Sequence, residues 1–319
     1  MIVEYKALHG FVQDLLKAAG VSRRKAELVA DSLVAGNLRG VDSHGVQLLG
    51  YYLEQLEAGD MSAEANGHVI SSSGACLHYD GENGIGQWIS DVCTDHVIRL
   101  AREHGLGMAV ARESNHFGAA AWWGSKLSAA GLVGIVMCNA SPLVPPWQGK
   151  EARFGTNPIC VSVPGSRIWL LDMATTTVAA GKIFKAHING QPVIPAGWAM
   201  DSDGVPTVET EKAYHGGLLM PLGGYKGSGL AFLVEILCGV LGGGAVTTEL
   251  GSIRWRGTQT RVSQMFLGID VSRFMPVSEF EARMRAVVAH VKSAKPARGF
   301  DEVLVAAAER LGVALPPGR

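Results

Sequence analysis

No Cys-x-x-Cys pair occurs in the chain, whose five cysteines (Cys76, Cys93, Cys138, Cys160 and Cys238) stand singly in apolar stretches. That spacing argues against a disulfide framework or a thiolate metal ribbon, and the five read as reduced core residues. Net charge is lacking too, since 28 lysines and arginines oppose 29 acidic residues. Such balance leaves no basic footprint for nucleic acid or anionic lipid. The first six residues hold no cationic segment followed by an apolar one, so no secretory signal is expected. The longest apolar stretch, residues 230–246, contains Glu235 and four glycines and suits a buried helix better than a membrane span. A soluble, cytoplasmic protein is the expectation.

Several catalytic signatures are absent as well. Gly227-Ser228-Gly229 continues to Phe232 and Gly105-Leu106-Gly107 to Val110, so no Gly-x-Gly-x-x-Gly follows a strand and a Rossmann fingerprint is missing. There is no Walker A sequence. Without His-Glu-x-x-His, and with ten scattered histidines, no dedicated metal site is expected. No Gly-x-Ser-x-Gly elbow surrounds Ser43, which weakens a hydrolase reading. Ser22-Arg23-Arg24-Lys25 matches Ser-x-x-Lys but lacks its partner motifs, and reads as a helix cap followed by solvated charges.

At 319 residues the chain can bury a large core, and two interleaved domains are expected. Its organising stretch is Arg39-Gly40-Val41-Asp42-Ser43-His44-Gly45-Val46, between two segments of helical periodicity. Gly40 suits a helix end because it takes the left-handed conformation without a Cβ clash, and Asp42 or Ser43 is expected to cap the next helix. Capping does not account for His44. An imidazole at a helix N-terminus feels the positive end of the dipole, which disfavours protonation and holds the pKa within reach of neutrality. That is the profile of a proton donor and acceptor.

Helical spacing of Leu8, Phe11, Val12, Leu15 and Leu16 gives a first helix, and a second runs from a Ser22 cap to Leu38. A third carries Leu48, Leu49, Tyr52, Leu53 and Leu56 until Gly59 stops it. From His68 the pattern changes to short strands at residues 69–72 and 75–79, then a helix over 87–104. A buried strand at 108–111 delivers Asn115-His116-Phe117-Gly118, and a helix over 119–130 and a strand over 133–138 follow. Beyond a proline-rich loop ending at Trp147 come strands at 158–163 and 168–171, the second running into Asp172-Met173-Ala174-Thr175-Thr176-Thr177. The glycine-rich residues 222–229 are expected to open a helix over 230–241. Such helix starts offer free amides and a positive dipole end to an anion, and several of them suggest a phosphate-bearing ligand. A strand near 262–269 and a helix over 279–291 complete the pattern, the helix placed to pack back on the N-terminal ones.

Five motifs then occur in one order: Arg39 to Gly45, Asn115-His116-Phe117-Gly118, Gly155-Thr156-Asn157-Pro158, Asp172-Met173-Ala174-Thr175 with Gly181-Lys182, and Gly223-Gly224-Tyr225-Lys226-Gly227. Together they resemble the malate/L-lactate dehydrogenase family of the second type. Ureidoglycolate dehydrogenase, diketogulonate reductase, sulfolactate dehydrogenase and cyclic imino acid reductases are relatives within it. The resemblance implies an α/β (α+β), non-Rossmann nicotinamide-binding fold with a largely antiparallel central sheet. It also implies a helical domain formed by both chain ends (1–67 with 276–319), a cofactor domain (68–275), and a homodimer with the active site near the subunit contact.

By the same resemblance, His44 exchanges the proton on a small 2-oxo or 2-hydroxy acid while hydride passes to or from NAD or NADP, and Ser43 and Lys182 complete the catalytic group. His116, Phe117, Gly118, Ala119 and Ala120 would line the cofactor, with Asp172, Met173, Ala174, Thr175, Gly181 and Lys226. Thr156 and His116 would face the carboxylate-like substrate. Two departures stand out. Family members commonly carry an arginine where this chain has Leu48, and that arginine would clamp the substrate carboxylate. Either another cation serves, with Lys182 or Arg153 as candidates, or the substrate is not a simple 2-oxo acid. Where the resemblance places a Pro-Gly loop touching the cofactor directly after Val303-Leu304-Val305, this chain reads Ala306-Ala307-Ala308-Glu309, so that contact is expected to differ or be missing. Reduction of a cyclic C=N bond remains an alternative, and so, from other classes, do a Ser-His hydrolase pairing Ser43 with His116 and an inactive cofactor-binding protein.

Overall fold

The computed structural model describes residues 3–165 and 169–305. Three helices come first, α1 (Tyr5–Ala18), α2 (Arg23–Leu38) and α3 (Leu49–Ala58). Their apolar stripes meet in one core, with Val12, Leu16, Val29, Leu33, Leu49 and Tyr52 packed beside Met61 and Ile85. Gly59, at φ +74°, ends α3 in the left-handed conformation, as its position in the pattern requires. Ser22 precedes α2 but makes no side-chain cap bond. The adjacent charge run is not wholly solvated either. Lys25 is 4% exposed, and its ammonium donates to the carbonyls of Ala63, Glu64 and Ala65, fastening α2 to the loop beyond α3.

The rest of the chain builds β1 (His68–Ser73), β2 (Cys76–Asp80), α4 (Gly86–His104), β3 (Leu106–Ser114), α5 (Ala120–Ala129) and β4 (Leu132–Cys138). Next come β5 (Ile159–Ser162), β6 (Leu170–Met173), α6 (Ala180–Ile188), β7 (Ala199–Met200), β8 (Pro206–Thr207), α7 (Thr210–Tyr214) and β9 (Leu218–Leu219). The described chain closes with α8 (Tyr225–Val234), which runs into a wider π-type turn (Glu235–Val240), then β10 (Val262–Asp270) and α9 (Val277–Lys292). Ile168, where the sequence placed the start of β6, lies outside the described residues, as does everything after Val305.

The main sheet has the order β1-β2-β3-β10-β4-β5-β6, antiparallel throughout except for the parallel β2–β3 pair. Helices α4 and α5 cover one face, where Ile89, Val97, Trp123 and Leu127 meet Ala109, Val136 and Phe266. A Cβ on Gly107 would stand 2.5 Å from the Val97 carbonyl, so glycine there is what lets α4 lie on β3. On the opposite face Val234 and Cys238 pack on Val110, Met137 and Met265. The turn between them is held by Glu235, 1% exposed, whose carboxylate accepts from the Asn157 and Asn139 amides and from Thr247 N–H. A second sheet, β8-β7-β9, packs with α6 on Val144, Phe154 and Ala231 in a separate cluster.

Four expectations are corrected. The helix after the glycine-rich stretch begins at Tyr225, with Gly227 in its first turn lying directly against the Leu222 backbone, where a side chain would clash. Residues 230–246 are not buried all round, since Phe232, Leu233, Ile236 and Val240 remain exposed. Cys76 is exposed, unlike the other four cysteines. Helix α9 buries none of its residues, so it contributes no core to the N-terminal helices. Among the described residues no helix is long and apolar enough to cross a membrane.

Candidate active site

The stretch Asp42–His44 forms one 3-10 turn, and a second, Val46–Leu48, leads into α3. His44 is therefore not at an α-helix N-terminus, and the dipole expected to act on it starts at Leu49. Neither turn has a side-chain cap. Asn37 of α2 supplies the hold instead, its Nδ2 donating to Asp42 (2.8 Å) and its Oδ1 accepting from Val46 N–H (2.8 Å). Two glycines make the fit possible. A Cβ on Gly36 would stand 2.7 Å from the His44 carbonyl, and one on Gly45 would stand 2.4 Å from Asn37. With hydrogens there, the turn lies flat on α2 and the imidazole has a fixed origin.

The His44 Nδ1 is 3.0 Å from Ser43 Oγ, a hydroxyl that can donate to or accept from it. The His44 ring stacks on His116, with centroids 5.6 Å apart and 27° between planes. His116 Nδ1 lies 2.7 Å from Tyr52 Oη and accepts from Gly118 N–H (3.3 Å), while Tyr52 Oη accepts from Gln87 Nε2 (3.1 Å). An amide N–H can only donate, which assigns Nδ1 as the acceptor and puts the proton of the neutral His116 ring on Nε2. Burial, the His44 ring and the Arg254 charge push His116 down to about 3. Burial and, secondarily, Arg254 hold His44 below the usual histidine value. Both rings are crowded by protein atoms and only partly exposed.

From His116 the other motifs follow in a hydrogen-bonded series. Buried Asn115 donates to the Gly84 carbonyl and accepts from Thr260, pinning the end of β3. Gly118 turns at φ +79°, Phe117 packs on Trp123 and Phe266, and Ala119 and Ala120 open α5. Asp172, at the end of β6, accepts from Ala121 N–H (2.8 Å); burial raises its pKa against that bond and Arg39. Thr175 donates through N–H (2.9 Å) and hydroxyl (3.0 Å) to the Thr156 carbonyl, and its own carbonyl accepts from Leu222 N–H (2.9 Å). Gly227 packs on that same carbonyl, which places Lys226 in the first turn of α8. The arc closes at Gly181, where an added Cβ would stand 3.1 Å from the Ser43 Cβ.

Helices α6 and α8 start at Ala179 and Gly224 with no side-chain cap, whereas Asp172 already accepts from the Ala121 N–H in the first turn of α5. Uncapped starts of small residues leave amides available to phosphate oxygens, so the residues present fit a dinucleotide. Trp147 lies across the last of them, its ring 2.8 Å from where a Gly224 Cβ would be.

Other sequence candidates fall outside this constellation. The Lys182 ammonium lies over the Trp198 ring at 5.9 Å and borders an open depression of about 310 Å³ that it shares with Lys185, Asn189 and Pro195. Arg153 is paired with Glu151 on an exposed loop. Leu48 is buried in the N-terminal core. His187, Glu211 and His215 come within 4.8 Å of one another at the outer surface of α6 and α7, in two ion pairs. Three residues of the site were not identified from sequence. Tyr52 read only as part of an apolar stripe, Gln87 as an ordinary helix residue, and Arg254 stands in a loop with no motif to mark it.

A family model described as malate/L-lactate dehydrogenase matches residues 3–312. The malate dehydrogenase of Pyrococcus horikoshii is 35% identical over 306 residues, covering 93% of this chain and 84% of that protein. The L-sulfolactate dehydrogenase of Methanocaldococcus jannaschii is 33% identical, with 96% and 88% covered. Its solved structure superposes with a TM-score of 0.89 at 32% identity, over 96% of this chain and 88% of that one.

Proposed function

Since the chain belongs to the malate/L-lactate dehydrogenase family and is an oxidoreductase acting on CH–OH groups, we propose that it moves hydride between NAD or NADP and a small 2-oxo or 2-hydroxy acid, with His44 exchanging the proton. The observation that carries this reading is the stacked His44–His116 pair at one end of the hydrogen-bonded arc of small residues, which runs through Asp172 and Thr175 to the uncapped starts of α6 and α8. Residues 116–120, Asp172 to Thr175, Gly181 and Lys226 would hold the cofactor, which supplies or takes the hydride when bound.

In the oxidative direction His44, neutral at pH 7, accepts the hydroxyl proton, and Ser43 Oγ stays on Nδ1 in both protonation states. His116 offers its Nε2–H to the substrate oxygen and, being held neutral, polarises it without competing for the proton. Thr156 faces the substrate, while Lys182, beside the glycine that meets Ser43, turns its ammonium to Trp198 and takes no part in the proton transfer. A homodimer is part of the proposal. The exposed stripe Phe232, Leu233, Ile236 and Val240 lies on the helix that begins in the cofactor arc and gives a second copy an apolar face to cover.

The deciding measurement is turnover of His44→Ala against a panel of pyruvate-, malate- and piperideine-type substrates, with each cofactor followed by nicotinamide absorbance. A fall of roughly 10²- to 10⁴-fold with cofactor affinity retained is expected. Unchanged turnover on the acids would refute the role of His44, and activity confined to the cyclic imine would replace the substrate class.

A further inference from the structure

The loop after the Glu235 turn is fastened to α3 at several points. Gln55 donates to the Trp255 carbonyl (3.0 Å), Asp60 accepts from Gly257 N–H (2.6 Å), Glu54 pairs with Arg256 (3.6 Å), and Ile253 packs into the N-terminal core. Between these anchors Arg254 projects over two rings. Its guanidinium carbon lies 5.5 Å from the Tyr51 centroid and 5.9 Å from that of Phe184. Tyr51 adjoins the Tyr52 that bonds His116, and Phe184 is on α6, one turn from the Gly181 that meets Ser43. The guanidinium is thus held where α3, α6 and the organising turn converge, and its charge reaches both imidazoles.

Arg254 differs from its neighbour in one respect. Arg256 has Glu54, whereas among the described residues the Arg254 guanidinium has no carboxylate and no hydrogen-bond acceptor. Aromatic faces satisfy its plane but leave the edge N–H groups free, and that edge is the part that takes a carboxylate through two parallel bonds. Arg254 is exposed, so water meets that edge until an anion beside the two histidines takes its place.

We propose that Arg254 is the carboxylate-binding residue of this site and takes the acid group of the substrate in its guanidinium fork, a position filled from the 250–258 loop instead of from the turn that ends at Leu48. This rests on the hydroxy-acid reading above and deepens it, since it makes a free carboxylate next to the reacting carbon a requirement.

The test uses Arg254→Met, which keeps length without charge, and Arg254→Lys, which keeps charge without the fork. For wild type and both variants, KM and kcat are measured for pyruvate and for uncharged pyruvamide, and oxamate binding to the NADH-loaded and NADPH-loaded enzyme is measured by calorimetry. In Arg254→Met, KM for the acid should rise on the order of 10- to 100-fold, with kcat changing less, and the preference of acid over amide should collapse. Arg254→Lys should fall between, and it carries the comparison if the methionine variant proves unstable. Oxamate binding equally to wild type and variants, or an unchanged acid-to-amide ratio, would overturn the assignment. Oxamate binding that depends on Arg254 in an enzyme that turns over neither 2-oxo nor 2-hydroxy acids would keep the carboxylate site and reject the reaction.

Discussion

His44 and His116 stack with their centroids 5.6 Å apart, and each directs its Nδ1 at a different hydroxyl, Ser43 Oγ at 3.0 Å and Tyr52 Oη at 2.7 Å. The two rings are therefore not equivalent. At that separation a proton on one disfavours a proton on the other, and the Tyr52 hydroxyl, with the Gly118 amide at 3.3 Å, already occupies the His116 Nδ1 lone pair. One imidazole is left to gain and lose a proton while the other stays a fixed donor.

Tyr52→Phe tests that division. The hydroxyl it removes donates to His116 and accepts from Gln87, and Tyr52 and Gln87 are only 2% and 1% exposed, so water does not replace it. Denaturant unfolding should show a loss of about 1–3 kcal/mol, the cost of leaving buried polar groups unpaired. Because His116 then loses the partner that orients it, kcat/KM should fall while cofactor affinity holds. An unchanged kcat/KM would remove His116 from the reaction.

The pH dependence follows from the direction of the His44 shift. The ring must be neutral to accept a proton, so kcat/KM for alcohol oxidation falls as pH drops through its pKa. Burial and Arg254 place that acid limb below the ordinary value of 6.5. Removing the nearby positive charge makes protonation easier, so Arg254→Met should move the limb to higher pH. A bound carboxylate offsets the same charge, and the wild-type limb in kcat should accordingly lie above that in kcat/KM. Coincident wild-type limbs, or no movement in the variant, would contradict the coupling.

The apolar stripe on α8 gives a prediction about assembly. Ile236→Glu places a carboxylate in the centre of Phe232, Leu233 and Val240 on an already exposed surface, where the monomer itself has little to lose. Light scattering coupled to size exclusion should report a dimer for wild type and a monomer for the variant. A dimer in both would move the subunit contact elsewhere.

Much of this architecture was legible in the chain. Periodicity located α1 to α4 and the strands β3, β4 and β10 because each buries a regular stripe, and the five motifs in order marked the organising turn and the arc. What escaped has physical reasons. The strands β7, β8 and β9 are two residues long, too short for any alternation to show. The start of α8 was misplaced because Gly227 is required by a close approach to Leu222 and Thr175, a tertiary fact with no local trace. The low pKa of His44 was assigned to a helix dipole, whereas burial and a loop cation from far along the chain produce it. Arg254 itself looks like any loop arginine until Tyr51 and Phe184 are seen beneath it.

Glu235 has a bearing on how the segments around it hold their spacing. A carboxylate can only accept, and this one gathers donors from the segment that presents Thr156 and from the strand-end Asn139, as well as from the Thr247 turn that leads towards Arg254. Three separate segments are in this way moored to a single anion behind the sheet. An amide in its place would aim hydrogens at hydrogens, and the segments would loosen although no atom in contact with substrate had been touched.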